Sequence, residues 1–313
     1  MNTTAIEVSG LRKSFGDKVV LDGIDLTVPT GTVFSLLGPN GAAKTTAVNV
    51  LTTLMKADGG TVRVAGHDVA REVKAVRAAI GVTGQFAAVD ELLSGQENLQ
   101  LMVDLHRVGR AEGRRVIADL LDRFDLVAPA SKLVTTYSGG MRRKLDLAMT
   151  LVGHPRIIFL DEPTTGLDPR SRRTMWDIVR GLVADGVTVF LTTQYLEEAD
   201  HLAGRIAVLD QGRLVAQGTS AELKRQIPGS HVRLRFADAG ELDAAAGILA
   251  GATRDDEGLE LRVPNDGGTQ ALRALLNRLD DHSIQVGEFA VHTPDLDDVF
   301  LALTGHASAE ATK

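Results

Sequence analysis

A chain of 313 residues with 44% hydrophobic content is long enough for one large buried core and a smaller companion domain. Its formal net charge of −7 argues against broad binding to nucleic acid, because neutralising phosphates takes a concentrated basic surface. No run approaches the roughly 18 uninterrupted apolar residues of a membrane-spanning helix. The start, Met1-Asn2-Thr3-Thr4, lacks a secretory leader pattern, and the absence of cysteine removes disulfides and thiolate metal sites, so a soluble cytoplasmic chain is expected.

Ile6, Val8 and Leu11 alternate with polar residues, and Leu21, Ile24, Leu26 and Val28 do so less strictly, which predicts a small antiparallel layer ended by a turn at Gly31. Val33, Phe34, Leu36 and Leu37 form a further strand, and residues 44–54 carry Val48, Leu51 and Leu54 at helical spacing. Between them runs Gly38-Pro39-Asn40-Gly41-Ala42-Ala43-Lys44-Thr45-Thr46. A strand-turn-helix of this kind aims backbone N–H groups and a helix N-terminus at an anion. In the phosphate-loop pattern G-x-x-x-x-G-K-[ST], the lysine reaches the terminal phosphates and the hydroxyl residue ligates Mg²⁺, roles that fall on Lys44 and Thr45. Ala43 stands where the pattern has its second glycine, and taken alone the stretch is also compatible with an ordinary strand-turn-helix corner. Glycine at that place permits positive φ or close approach to phosphate. If φ is positive there, alanine costs about 1 to 2 kcal/mol.

Asp58-Gly59-Gly60 makes a turn, residues 61–65 a strand, and residues 80–83 another strand leading into Gly84-Gln85. From Ser94 to about Val134 the pattern is amphipathic, with Leu120, Leu121, Phe124 and Leu126 as core, and predicts a helical insertion between sheet strands. The apolar runs 157–160 and 187–191 suit central parallel strands, with a helix over 172–183 between them as a βαβ unit. Asp161-Glu162 then places two carboxylates at the C-terminal end of a buried strand, where open α/β sheets bind ligands. One acid can hold Mg²⁺ and the other polarise water; a strand-end turn with solvated acids is the plainer alternative. A hairpin is predicted over 205–218.

Past Ile227-Pro228-Gly229 a small α+β module is expected. Val232, Leu234 and Phe236 alternate, as do Leu259, Leu261 and Val263, and Ile284, Val286, Phe289 and Val291 continue the pattern with a bulge at Gly287. Leu272, Leu275, Leu276 and Leu279 follow helical spacing, and Thr293-Pro294 suggests an N-cap and first helical residue ahead of Leu296, Val299, Phe300 and Leu303. The tail 306–313 is expected to be disordered.

The phosphate loop, Gln85 after a strand, Tyr137-Ser138-Gly139-Gly140-Met141, Asp161-Glu162 and Thr165-Gly166-Leu167-Asp168 come in an order that resembles the ATP-binding subunit of an ABC transporter. The resemblance spans residues 3 to about 225. Val82-Thr83-Gly84-Gln85, the run from Tyr137 to Arg143, Thr192-Thr193-Gln194-Tyr195 with Leu196-Glu197-Glu198-Ala199-Asp200, and Leu296-Asp297-Asp298-Val299-Phe300-Leu301 are most similar to the daunorubicin/doxorubicin-resistance type of exporter ATPase.

The resemblance implies an α/β P-loop ATPase domain over 1–227, with an antiparallel β subdomain and a helical subdomain at about 93–153, and an accessory α+β domain over 228–305. It implies ATP and Mg²⁺, the nucleotide held by Phe15 on adenine and by Gly38, Pro39, Asn40, Gly41, Ala42, Ala43, Lys44, Thr45 and Thr46. Thr45, Gln85 and Asp161 are the implied metal partners, and Glu162, Gln194 and Gln85 the catalytic group, with Glu162 as general base. Ser138, Gly139 and Gly140 are expected to act on the nucleotide of an opposite protomer, and Asp168 to lie at the dimer seam. The basic run Arg142-Arg143-Lys144 is expected to be a solvated helix face. Gln194 departs from the histidine more usual in the superfamily; an amide can hydrogen-bond but cannot carry a proton. The expected function is an ATP-hydrolysing subunit on the cytoplasmic face of the membrane, dimerising around two ATP molecules and driving a separate polytopic subunit to export a hydrophobic compound, with no nucleic-acid partner. Two alternatives are a regulatory subunit of weak turnover and a soluble ABC ATPase without a transport role.

Overall fold

Period-two alternation brings β1 (Thr4–Phe15) and β2 (Lys18–Pro29) together as an antiparallel pair, with Val8 opposite Leu26 and with Ile6, Leu21 and Val28 buried. A turn through Gly31 leads to β3 (Val33–Leu37), whose residues are all buried, as in a strand covered on both faces. The chain is described here from a computed structural model over residues 4–226, 230–265, 269–292 and 294–305.

β3 passes through the phosphate-loop turn into α1 (Lys44–Leu51), which stops short of the expected Leu54. Thr53 takes a left-handed φ of 65°, and the N–H groups of Thr53 and Leu54 return to the carbonyls of Val50 and Asn49, the paired bonds of a Schellman ending. Leu54 is left exposed beyond it.

β4 (Gly59–Val64) pairs with β1 and β5 (His67–Asp68) with β4, closing an antiparallel layer ordered β2-β1-β4-β5. α2 (Val73–Ala79) runs into β6 (Ile80–Thr83). The helical insertion follows as α3 (Gly95–Leu105), α4 (Arg110–Arg123), a 3-10 turn (Val134–Thr136) and α5 (Gly139–Leu151). Ser94 starts α3 with a capping box, accepting from Glu97 N–H at 3.3 Å while its own N–H donates to the Glu97 carboxylate at 2.8 Å. Leu120, Leu121, Phe124 and Leu126 enter one core with Ile158 and Leu160 of β7 (Ile157–Asp161) and Met175, Trp176 and Val179 of α6 (Pro169–Ala184).

β8 (Thr188–Thr193), α7 (Leu196–Leu202), β9 (Arg205–Asp210) and β10 (Arg213–Gly218) complete a six-stranded sheet ordered β10-β9-β3-β8-β7-β6, parallel except for β10. Register sets Phe34 beside Phe190 and Phe190 beside Phe159, with ring centroids 5.4 Å apart in each pair, in the core shared with the antiparallel layer. The same register aligns Leu37 with Thr193, Asp161 with Thr192 and Thr83 with Leu160, so the segments following β3, β6, β7 and β8 leave from one edge of the sheet.

The chain divides into two compact units at Ser220/Ala221, ahead of Ile227-Pro228-Gly229, which, like the tail 306–313, lies outside the described residues. Following α8 (Ser220–Arg225), the second unit contains β11 (His231–Arg235), α9 (Ala239–Ile248), β12 (Thr253–Asp255), β13 (Glu260–Pro264), α10 (Thr269–Asp281), β14 (Glu288–His292) and α11 (Leu296–Thr304). Its antiparallel sheet is ordered β12-β13-β11-β14, and Val232, Leu234, Leu261 and Val263 share a core with Leu242, Ala245, Leu275 and Leu279 of α9 and α10.

Two expectations fail in this unit. Ile284 belongs to the end of α10 rather than to a bulged strand: Ser283 has a φ of 55°, and the N–H groups of Ser283 and Ile284 return to Asp280 and Leu279, so β14 begins only at Glu288. The cap of α11 is Asp295, which exchanges bonds with Asp298 at 2.9 and 3.1 Å; Thr293, the expected cap, lies outside the described residues.

Candidate functional site

The phosphate loop is seated on the sheet by its first glycine. Gly38 N–H donates to the Thr193 carbonyl at 3.1 Å, and a Cβ at Gly38 would fall 2.3 Å from the Leu209 carbonyl oxygen, a close approach that only glycine permits. Ala42 N–H closes back on the Pro39 carbonyl at 3.2 Å, while Asn40 and Gly41 stand exposed and Thr46 is half-buried. Gly41 and Ala43 both take left-handed backbone, with φ of 84° and 79°. Ala43 is also the N-cap of α1 and supplies no side-chain cap. The first N–H groups of a helix have no intrahelical partner, so this start is open to an acceptor such as a phosphate oxygen.

Lys44 is only 4% exposed. Its Nζ donates to the carbonyls of Gly38 at 2.8 Å and Pro39 at 3.1 Å and lies 3.2 Å from Glu162 Oε1. Thr45 Oγ1 donates to Asp161 Oδ2 at 2.9 Å, and Thr192 Oγ1 donates to the other oxygen, Oδ1. Thr45 and Asp161 thus offer oxygen donors side by side, the ligand type a hard divalent cation such as Mg²⁺ prefers.

Glu162, just past β7, has a φ of 49°, uncommon for a residue with a Cβ. Its N–H donates to both the carbonyl and the Oγ1 of Thr192 at 3.1 Å, and its Oε2 accepts from Thr165 Oγ1 at 3.2 Å. The carboxylate is therefore buried, oriented and opposite the lysine, a suitable arrangement for a proton acceptor.

The other expected site residues stand apart. Among the described residues, no hydrogen bond or ion pair joins Gln85, Gln194, Ser138 or Phe15 to Lys44, Thr45, Asp161 or Glu162. Gln85 is exposed after β6, and Gln194 is half-buried after β8, on the edge that also carries Gly38 and Glu162. Phe15 ends β1 with 49% of its surface exposed and the Lys13 ammonium 5.5 Å from its ring centre, so it is no core residue. Ser138 is the N-cap of α5, accepting from Met141 N–H at 3.2 Å, and is exposed with Gly139; at Gly140 a Cβ would come within 2.7 Å of Ser171 Oγ on α6. Asp168 caps α6, accepting from the N–H groups of Arg170 and Ser171 at 3.0 Å, and these bonds with that from the Ser171 hydroxyl hold its pKa below the ordinary carboxylate range.

The basic run on α5 is not a solvated face. Arg143 is 6% exposed. Its guanidinium donates to the carbonyls of Gly84 (2.6 Å), Asp161 (3.1 Å) and Pro163 (3.1 Å) and pairs with Asp146 at 3.4 Å. The fork geometry of arginine lets one buried side chain satisfy several acceptors that lack water. Burial pulls the Arg143 pKa down and pushes that of Asp146 up, and their pairing opposes both shifts. The available sequence signal was the i, i+3 spacing of Arg143 and Asp146 beside Leu145, Leu147 and Ala148, all buried. Thr192 carries no such signal, because only the register of β7 and β8 sets it opposite Asp161.

A lysine cradle at a strand-to-helix turn, with a hydroxyl residue and two acids from the end of β7, one strand beyond the neighbouring β8, defines a P-loop nucleotide-binding domain. The family model described as ABC transporter matches residues 21–165, and that described as the C-terminal domain of DrrA1-3-like ATP-binding proteins matches residues 218–304. The chain is 50% identical over 307 residues to daunorubicin resistance ATP-binding protein DrrA3 of Streptomyces coeruleorubidus, covering 97% of each. It is 43% identical over 311 residues to doxorubicin resistance ATP-binding protein DrrA of Mycobacterium tuberculosis, covering 96% of this chain and 93% of that protein. It is 36% identical to Nod factor export ATP-binding protein I of Paraburkholderia xenovorans, covering 97% of this chain and 98% of that one. A solved ATP-binding subunit of an ABC transporter is similar at a TM-score of 0.64 and 27% identity, over 71% of this chain and 93% of its own. The chain belongs to the ATP-binding proteins of ABC transporters, in the group of the drug-resistance DrrA proteins, and is an ATPase coupled to transport.

Proposed function

We propose that this protein hydrolyses ATP with Glu162 as general base, as a homodimer that powers export of a hydrophobic drug or natural product through a separate polytopic membrane subunit. The observation that carries the reading is the buried meeting of Lys44 and Glu162 at 3.2 Å beside the Thr45–Asp161 pair at 2.9 Å. A phosphate arriving at Lys44 competes with Glu162 for the ammonium, which frees the carboxylate to take a proton from the attacking water. Thr45 and Asp161, with Gln85, would hold Mg²⁺, which supplies charge neutralisation on the terminal phosphates. Gln194 leaves the same edge of the sheet and can hydrogen-bond a phosphate oxygen without carrying a proton.

The exposed start of α5, a helix of 13 residues, offers Ser138 and Gly139 to a phosphate bound by a second copy. Phe15 stacks on adenine, for which its half-exposed ring is available. Asp168, by capping α6, shapes the segment assigned to the dimer seam. Phe86 and Leu92, 85% and 81% exposed, follow Gln85 closely. Apolar side chains this open suit a partner surface, and their place gives the membrane subunit a contact beside a residue that senses nucleotide. Among the described residues no helix is long and apolar enough to cross a membrane; a peripheral place at the cytoplasmic face follows from the proposed partnership with a polytopic membrane subunit. The drug or natural-product substrate is inferred from the relatives, ATP-binding proteins of drug resistance and of Nod factor export.

Glu162→Gln tests this. The amide keeps the size of the carboxylate and one acceptor oxygen but cannot accept the proton, so ATP binding persists, turnover falls by about 10² to 10⁴-fold, and an ATP-bound dimer accumulates on size-exclusion chromatography. Near-normal turnover would overturn the assignment.

A further inference from the structure

The Arg143 contacts are distributed in a particular way. Its three carbonyl acceptors are Gly84, immediately before Gln85, and Asp161 and Pro163, on either side of Glu162. Its ionic partner Asp146, one turn along α5, accepts the Ala88 N–H at 3.0 Å on the far side of Gln85. One buried pair on the helix that begins with Ser138 therefore grips the backbone on both sides of Gln85 and both sides of Glu162. Neither side chain bonds Gln85 or Glu162 directly.

The grip matters because the Glu162 backbone is strained. A φ of 49° in a residue with a Cβ persists only where its surroundings over-determine it. Thr192 fixes the Glu162 N–H, and Arg143 fixes the carbonyls before and after it. The seat of α5 against β6 is also tight: a Cβ at Gly81 would lie 2.3 Å from Thr150 Cγ2. A shift of α5 relative to the sheet cannot leave these bonds unchanged.

We infer that Arg143 and Asp146 are positioning residues for ATP hydrolysis: the pair ties α5, the helix that begins with Ser138, to the backbone around both Gln85 and Glu162, so that the seating of α5 sets the aim of the base. This rests on the reading of Glu162 as general base. The pair bonds backbone groups and each other, not Lys44, Thr45 or the Glu162 carboxylate; it acts through the backbone it holds. Because misplacing a reacting group by about 1 Å can lower a rate some 100-fold, a loosened grip is felt in turnover before it is felt in binding.

The test is Arg143→Lys in the full-length protein, with steady-state kinetics, ATP affinity by calorimetry and thermal unfolding. Lysine keeps the charge beside Asp146 but lacks the fork that reaches three carbonyls. The expected result is kcat lower by about 10- to 100-fold, with KM and ATP affinity within about 3-fold of wild type. Asp146→Asn, which keeps an acceptor for the Ala88 N–H but removes the charge opposite Arg143, is expected to lower kcat by about 3- to 10-fold at unchanged KM and provides a milder second variant if the first folds poorly; wild-type kcat in it would count against the pair. The decisive readout is the double variant with Glu162→Gln: if Arg143 works by aiming the base, Arg143→Lys adds less than about 2-fold to the loss already caused by Glu162→Gln. Multiplying losses, wild-type kcat in Arg143→Lys, or ATP affinity falling in step with kcat would each overturn the inference. Normal turnover in Glu162→Gln alone would instead overturn the reading of the base, which keeps the two failures distinct.

Discussion

Two residues with side chains hold left-handed backbone at the nucleotide site, Ala43 at φ 79° and Glu162 at φ 49°, and they flank the same lysine. Their supports differ. Glu162 is held through its own N–H by Thr192 and through both flanking carbonyls by Arg143, and its carboxylate contacts Lys44 and Thr165. Ala43 accepts the Ala47 N–H as the cap of α1, brings no side-chain cap, and lays its methyl group against the apolar core. Strain at Glu162 accompanies the carboxylate proposed as the base, whereas strain at Ala43 accompanies only a methyl group laid against the core. Backbone strain at a functional site thus has to be judged by what the side chain delivers.

The same substitution at the two positions should give opposite results. Glu162→Gly relieves backbone strain yet removes the proposed base, and we expect turnover to fall by about 10² to 10⁴-fold in a steady-state ATPase assay. Recovery of more than a tenth of wild-type turnover would break the contrast. Next in size is Thr192→Val, which takes one donor from Asp161 and one acceptor from the Glu162 N–H. Chemical denaturation should show a loss of about 1 to 3 kcal/mol, and an unchanged midpoint would mean that the support is not needed. Ala43→Gly is expected to leave nucleotide-free stability equal or lower by up to about 1 kcal/mol, because glycine also enlarges the unfolded ensemble; a clear stabilisation in the absence of nucleotide would point to a packing fault.

The smallest effect concerns pH. On the Glu162 side of the site, Glu198 is buried with its Oε1 accepting from Trp176 Nε1 at 3.1 Å, and burial raises its pKa, as it raises that of Asp146. In the window from the ordinary carboxylate value up to the raised one, the folded protein holds protons that the unfolded chain has released. The stabilising contribution is thus fully present below the ordinary value and is lost as pH rises through the window. Glu198→Gln should flatten that decline in denaturation series across pH, whereas Ala43→Gly should leave it alone. An unchanged slope in Glu198→Gln would remove this group from the pH dependence.

Much of this arrangement was legible in the sequence. Continuous apolar runs gave the central strands, the lysine after a glycine-rich turn marked the loop, and Asp161-Glu162 after four apolar residues marked the opposite wall. Helix ends were less legible, because Thr53 and Ser283 terminate α1 and α10 in left-handed conformations where glycine or asparagine is the usual signal. Arg143 was legible only in its spacing to Asp146; its contacts were not, for another reason. Its acceptors are backbone carbonyls at two turns distant in sequence, and carbonyls leave no trace in residue identity, so three consecutive bases resemble a solvated face until the turns are brought against the helix.

Titration calorimetry of ATP into the wild-type protein and Ala43→Gly at matched Mg²⁺ tests the contrast between the two strained residues most directly. Ala43 already takes the left-handed conformation at φ 79°, so glycine relieves a strain that phosphate binding would fix in place, and a backbone term of about 1 to 2 kcal/mol sets an upper limit of roughly 5- to 30-fold tighter binding. The account predicts a gain within that limit, and equal affinity in the two proteins would contradict it.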